Sequence, residues 1–168
     1  DMLISFQIPE EKITTILNGI DFKETQNHLY SREDLKLDSN DFVIIMVARM
    51  EKVKDHSTAL HAVQLASRQH PNIKMIIVGD GLEREYIERK VEELDLTSHV
   101  QFLGQRNDVI ELFPLVDICL LTSKSESFPL VLLEAARAGI PCISTNVGGI
   151  DKMIPTTELG WIKEVGDV

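Results

Sequence analysis

Cations are in short supply in this chain. Seventeen Lys and Arg stand against 27 Asp and Glu, a formal net charge of −10. That balance argues against nucleic acid or an anionic membrane surface as the main partner, while leaving room for a small anion held by a few local cations. Cysteine is scarcer still. Cys119 and Cys142 both fall in apolar, strand-like runs and lack metal-ligand spacing, which reads as two buried reduced thiols and a cytoplasmic setting. The five histidines (His28, His56, His61, His70 and His99) show no catalytic or zinc spacing, and His56 reads as a surface residue at a helix start. No apolar run approaches a membrane span, no secretory signal leads the chain, and no low-complexity tract interrupts it. The start at Asp1-Met2 with ordinary globular residues suggests a piece of something larger.

What is present is enough for one domain. The chain has 168 residues, 43% of them apolar, which supports one real core and is too short for two full α/β domains. Residues 1–40 are polar and charged, with a short apolar alternation from Ile13 to Leu17, a turn at Asn18-Gly19 and a helix-like patch near Ser31–Leu37. A regular alternation follows. Phe42–Ala48, Ile73–Val78, Val100–Leu103, Ile118–Leu121 and Cys142–Ser144 are short apolar runs of strand length, as expected of strands covered on both faces. Between them lie helical patterns over Asp55–His70, Leu82–Leu94, Val109–Leu115 and the stretch from Pro129 to Gly139. This alternation predicts a doubly wound, Rossmann-like α/β domain with a parallel sheet. Ligands of such sheets gather at the carboxyl ends of the strands, which here means loops 49–54, 79–81, 104–108, 122–128 and 145–149.

One stretch organises the rest: SKSESFPLVLLEAARAGIPCISTNVGG, from Ser123 to Gly149. Pro129 suits a first helical position, Gly139 a helix end, and Pro141 forbids continuation. The helix is apolar on nearly every face, so it is expected to be buried, with the Glu134 carboxylate needing a partner inside it. Glu134 either pairs with Arg137 at i+3 or accepts hydrogen bonds from ligand hydroxyls, with Glu126 solvated or facing the same pocket. Arg49 and Lys54 stand just after the first strand, at the edge where an anion would bind; Lys52 between them is expected to face solvent. Gly79-Asp80-Gly81 follows a strand, but Arg84 occupies the third glycine position of a dinucleotide fingerprint, so Gly79 and Gly81 serve turn geometry.

The segment Glu126-Ser127-Phe128-Pro129-Leu130-Val131-Leu132-Leu133-Glu134-Ala135, then Gly139-Ile140-Pro141-Cys142 and Val147-Gly148-Gly149, resembles the retaining glycosyltransferases of family 4, which have the GT-B fold. The resemblance runs from about Lys12 to Trp161. It implies the C-terminal, donor-binding half of a GT-B enzyme, with an N-terminal acceptor domain absent from the chain. By that resemblance Arg49, Lys54 and Glu126 are the catalytic set. Arg49 and Lys54 hold the diphosphate of a UDP- or GDP-sugar, Glu126 sits near the donor sugar, and Glu134 holds the ribose. Ser127, Phe128, Leu130, Arg106 and Gly79 line the donor site, Arg106 in a loop that borders the nucleobase. No cofactor and no metal are implied, and transfer is expected to retain configuration and to serve polysaccharide biosynthesis. The acceptor, a saccharide or lipid-linked molecule, would be bound through the missing domain, and peripheral membrane association, if any, belongs to the full-length protein. The isolated chain is expected to bind nucleotide weakly and transfer nothing. A GT-B nucleotide-sugar epimerase half and a non-catalytic nucleotide-binding module are the other readings. The chain departs from the family pattern at Ser127, where glycine is usual, at Pro129, which removes an N–H, and at Lys152, where glutamate is usual.

Overall fold

The computed structural model describes residues 9–14, 16, 18–20 and 29–167. The expected features around His28 and part of the Ile13–Leu17 alternation lie outside the described residues. Among the described residues six strands, β1 (Phe42–Val47), β2 (Ile73–Val78), β3 (Val100–Gly104), β4 (Ile118–Leu121), β5 (Cys142–Thr145) and β6 (Gly160–Lys163), form one sheet in the order β3-β2-β1-β4-β5-β6. Every pairing is parallel, so the doubly wound reading holds. Side-chain alternation divides the core into two layers. Val43, Ile45, Ile76, Val78, Cys119 and Leu121 pack on one face with Leu112, Phe113, Leu132, Ala135 and Ile150. Met46, Met75, Ile77 and Leu120 pack on the other against α1 (His56–Ser67) and α2 (Arg84–Glu93). A parallel crossover is right-handed, so helices met while the chain moves one way along the sheet lie opposite those met on its return.

Several elements differ from expectation. The helix predicted over Val109–Leu115 is two short 3-10 turns, Val109–Glu111 and Phe113–Leu115, because Pro114 lacks the N–H that an α-helix would use. Helix α3 runs Leu130–Arg137, with Pro129 at its N-cap in an extended conformation rather than inside the helix. Its expected all-round burial is wrong. Only Leu132 and Ala135 are buried, since a helix lying on one sheet face turns a single stripe inward. Leu130 is 42% exposed, and Glu134 is half-buried, not sealed in the core. The four-residue helix α4 (Ile150–Met153) and edge strand β6 complete the fold.

Candidate functional site

The strand order reverses between β1 and β4, and at such a switch point the loops leaving the strands' carboxyl ends are where α/β sheets take their ligands. The loop after β1 makes a 3-10 turn, Lys52–Lys54, then a left-handed residue, Asp55 (φ 49°), that swings the chain into α1. The loop after β4 is stitched to it. The Thr122 hydroxyl lies 3.1 and 2.9 Å from the carbonyl oxygens of Lys54 and Asp55 and donates to them. The Lys124 N–H donates to the Val53 carbonyl at 2.7 Å, and Lys124 Nζ stands 3.3 Å from Asp55 Oδ2.

This stitching brings Lys54 and Glu126, 72 positions apart in sequence, into contact. Lys54 Nζ donates to Glu126 Oε1 at 2.6 Å, and the Ser123 hydroxyl donates to the same oxygen at 2.6 Å. The two charged side chains are only 18% and 10% exposed. An ion pair so shielded loses hydration on both partners, and it persists because the carboxylate gains a second donor and the loops leave it one geometry. A third loop closes from β5. Thr145 Oγ1 donates to the Ser123 carbonyl at 2.5 Å. Gly148 (φ +60°) presses its Cα against the Glu126 carbonyl so closely that any Cβ would overlap that oxygen.

The other expected site residues are placed unevenly. Arg49 lies at the same edge but is 75% exposed and pairs with Glu51 at 2.6 Å. Lys52 faces solvent as expected. Gly79 (φ +131°) lets the loop after β2 approach the loop after β1, where a Cβ would strike the Ala48 carbonyl. Ser127 is exposed, Phe128 half-buried, and Glu134 sits in the first turns of α3. Arg106 is already engaged: its Nε and Nη2 donate to the two Asp108 oxygens at 2.8 and 2.6 Å, and its guanidinium lies 5.0 Å from the Tyr30 ring centroid. The Arg106 fork, with help from the Tyr30 hydroxyl, holds the Asp108 carboxyl down to about 2. Sequence reasoning missed the buried hydroxyls Thr122, Ser123 and Thr145. Their signal is a hydroxyl pair at the carboxyl end of two adjacent apolar strands.

A family model described as glycosyl transferases group 1 matches residues 30–168. The chain belongs to this family. Among curated glycosyltransferases, the N-acetyl-alpha-D-glucosaminyl L-malate synthase of Bacillus anthracis is 36% identical over 163 residues, covering 95% of this chain and 42% of its own length. The UDP-Gal:alpha-D-GlcNAc-diphosphoundecaprenol alpha-1,3-galactosyltransferase of Escherichia coli is 30% identical over 94% of this chain and 42% of its own. HepE of Anabaena, solved with UDP and with UDP-glucose, superposes with a TM-score of 0.74 at 27% identity, over 81% of this chain and 38% of HepE. WaaG, a glycosyltransferase involved in lipopolysaccharide biosynthesis, gives 0.81 at 26%, over 94% of this chain and 44% of WaaG. The chain spans less than half the length of these relatives.

Two features of this glycosyltransferase domain lie beside the Lys54–Glu126 pair. A cavity of about 530 Å³ opens between the starts of α1 and α2, lined by Glu51, Asp55, His56, Tyr86 and Lys124 among others, but by neither Lys54 nor Glu126. His56, expected at the surface, is 2% exposed, because the left-handed turn at Asp55 tucks the first residue of α1 inward. Neither ring nitrogen has a hydrogen-bond partner. Burial pushes its pKa down to about 4; Asp55 opposes that shift and Lys54 adds to it.

The folded state therefore refuses a proton that the unfolded chain accepts below the ordinary pKa of 6.5. Stability falls as pH drops from about 6.5 to about 4, by on the order of 3 kcal/mol, and is flat with respect to this group below that. Urea unfolding across pH 4–7 checks this expectation: the gap between wild type and His56→Leu should widen in favour of the variant as pH falls. A gap that does not change with pH removes His56 as the cause.

The two cysteines meet the expectation of buried thiols. They are register partners on β4 and β5, and the Cys142 contact together with burial pushes the Cys119 thiol well up, away from the thiolate that would react. Among the described residues no helix is long and apolar enough to cross a membrane, and no cluster of three or more His, Cys, Asp or Glu side chains could hold a metal.

Proposed function

We propose that this chain is the donor-binding domain of a retaining, metal-independent glycosyltransferase. In this reading it takes a sugar from a UDP- or GDP-sugar, and a second domain supplies the acceptor site. The observation that carries the reading is the Lys54–Glu126 contact at the strand-order switch, a built junction of opposite charges where α/β sheets bind nucleotides. Support comes also from family membership and from the UDP and UDP-glucose held by HepE.

The chemistry follows from the donors left over. An ammonium has three N–H donors. One of Lys54 is on Glu126, so two remain for the oxygens of a departing diphosphate. Arg49 gives up little when it leaves Glu51, since an exposed ion pair is worth about 0–1 kcal/mol, and its planar fork then closes on the same phosphates. Lys54 is held at the junction before charge builds on the leaving group, so it stabilises the transition state with little reorganisation, and Arg49 joins it once it has left Glu51. Glu126 lies beside the donor sugar, and half-buried Glu134 accepts from the ribose hydroxyls. Ser127, Phe128 and Leu130 form the rim. Arg106, expected in the loop that borders the nucleobase, has two of its nitrogens on Asp108, so it reaches a bound donor only by giving up that fork. The missing wall of the cleft, and any peripheral membrane contact, belong to the full-length protein, whose cytoplasmic placement accords with the two reduced thiols.

Titration calorimetry with UDP and GDP tests the assignment. Arg49→Ala and Glu134→Ala are each expected to weaken binding about tenfold to a hundredfold, the range for losing a charge-assisted hydrogen bond. Equal binding by wild type and both variants discards it.

A further inference from the structure

Glu126 is aimed by a side chain that no substrate can reach. Ser123 is 0% exposed, stands two residues past β4, and donates to Glu126 Oε1 at 2.6 Å, the oxygen that Lys54 also holds. Its own backbone is fixed in turn, its carbonyl accepting from the 3% exposed Thr145 at the end of β5. We infer that Ser123 is a positioning residue for sugar transfer. By holding Oε1 jointly with Lys54 it fixes one rotamer of Glu126 and leaves Oε2 turned to the donor sugar. The inference rests on the role given to Glu126 above.

The physical case is one of geometry and shielding. Lys54 alone would leave the carboxylate free to rotate about a single flexible contact. Two donors converging on one oxygen, from the loop after β4 and from the turn that follows β1, remove that freedom, as rigid support does for a site. Because the carboxylate is largely shielded from water, solvent does not readily replace the lost donor.

The test uses the full-length protein, its UDP-sugar turnover, and UDP affinity by calorimetry. Ser123→Ala should lower kcat about tenfold to a hundredfold while UDP affinity stays within about threefold. The melting temperature should drop by only a few degrees, and Ser123→Thr, which keeps the hydroxyl, should recover most of the rate. In a Glu126→Gln background, Ser123→Ala should cost less than about threefold more, because the two residues act as one unit. A kcat within threefold of wild type overturns the inference, and so does a loss that persists in full on the Glu126→Gln background. Should Ser123→Ala fail to fold, Ser123→Cys, similar in size but a weak donor, takes its place with the same outcomes. If instead Glu126→Gln and Lys54→Met both leave turnover intact, the site assignment itself falls, which is a different failure.

Discussion

Lys54→Met is expected to lower turnover of the full-length enzyme by about 10²–10³, the loss seen when one preorganised charge donor is taken from a transition state. It should also destabilise the domain by about 3 kcal/mol, because the Glu126 carboxylate then stays shielded without its counter-charge. That estimate sits at the lower end of the range for broken buried pairs, since the Ser123 hydroxyl remains on Oε1. The two losses have different origins, and a second variant separates them. Lys54→Met combined with Glu126→Gln removes both charges, and Gln keeps the shape and an acceptor for Ser123, so most of the stability should return. Activity should not. Chemical denaturation and initial-rate assays on the same preparations read the two quantities. Were the double variant to recover activity along with stability, the pair would be a structural clasp and the catalytic role would be lost.

That separation matters because a shielded ion pair can arise for structural reasons alone. The sequence reading expects Arg49, Lys54, Glu126 and Glu134 at one sheet edge, and the alternation that defines the edge is legible because β1, β2, β4 and β5 are short and largely apolar or buried. Direct contact between Lys54 and Glu126 was not legible. It depends on the Lys52–Lys54 turn and on Asp55 in a left-handed conformation, a backbone choice that an aspartate permits but does not announce. The burial of His56 is a consequence of the same turn and was hidden for the same reason. Strand β6 went unseen because Gly-Trp-Ile-Lys lies at the sheet edge with Trp161 48% exposed, so its pattern lacks the continuous apolar run of the inner strands. The misjudged helix α3 shows the reverse case. Its apolar residues outnumber the positions that face the sheet, and small residues such as Ala136 and Ala138 sit exposed at little cost. Composition around a helix reports burial only when the helix has neighbours on every side.

Gly148→Ala is the second large expected effect, and it strikes the same site through the backbone. Gly148 has φ +60°, where an L-residue costs roughly 1–2 kcal/mol, and an added Cβ would overlap the Glu126 carbonyl. A backbone oxygen cannot rotate aside as a side-chain tip can, so either the loop after β5 or residue 126 itself must move. Movement of residue 126 breaks the shared hold of Lys54 and Ser123 on Oε1, both of which are at 2.6 Å with no slack. With Glu126 beside the donor sugar as proposed, turnover should fall about a hundredfold, the scale of loss for a misplacement of about 1 Å at a site. Gly139→Ala is the matched control. Gly139 also has positive φ (+75°), but a Cβ there meets nothing within 4 Å, so that variant carries the conformational penalty without the collision. Both variants should lose stability, by roughly 1 kcal/mol at Gly139 and more at Gly148. Only Gly148→Ala should lose activity beyond what its melting temperature explains. Equal turnover by the two variants would mean that residue 126 tolerates displacement, and that its position does not set the rate.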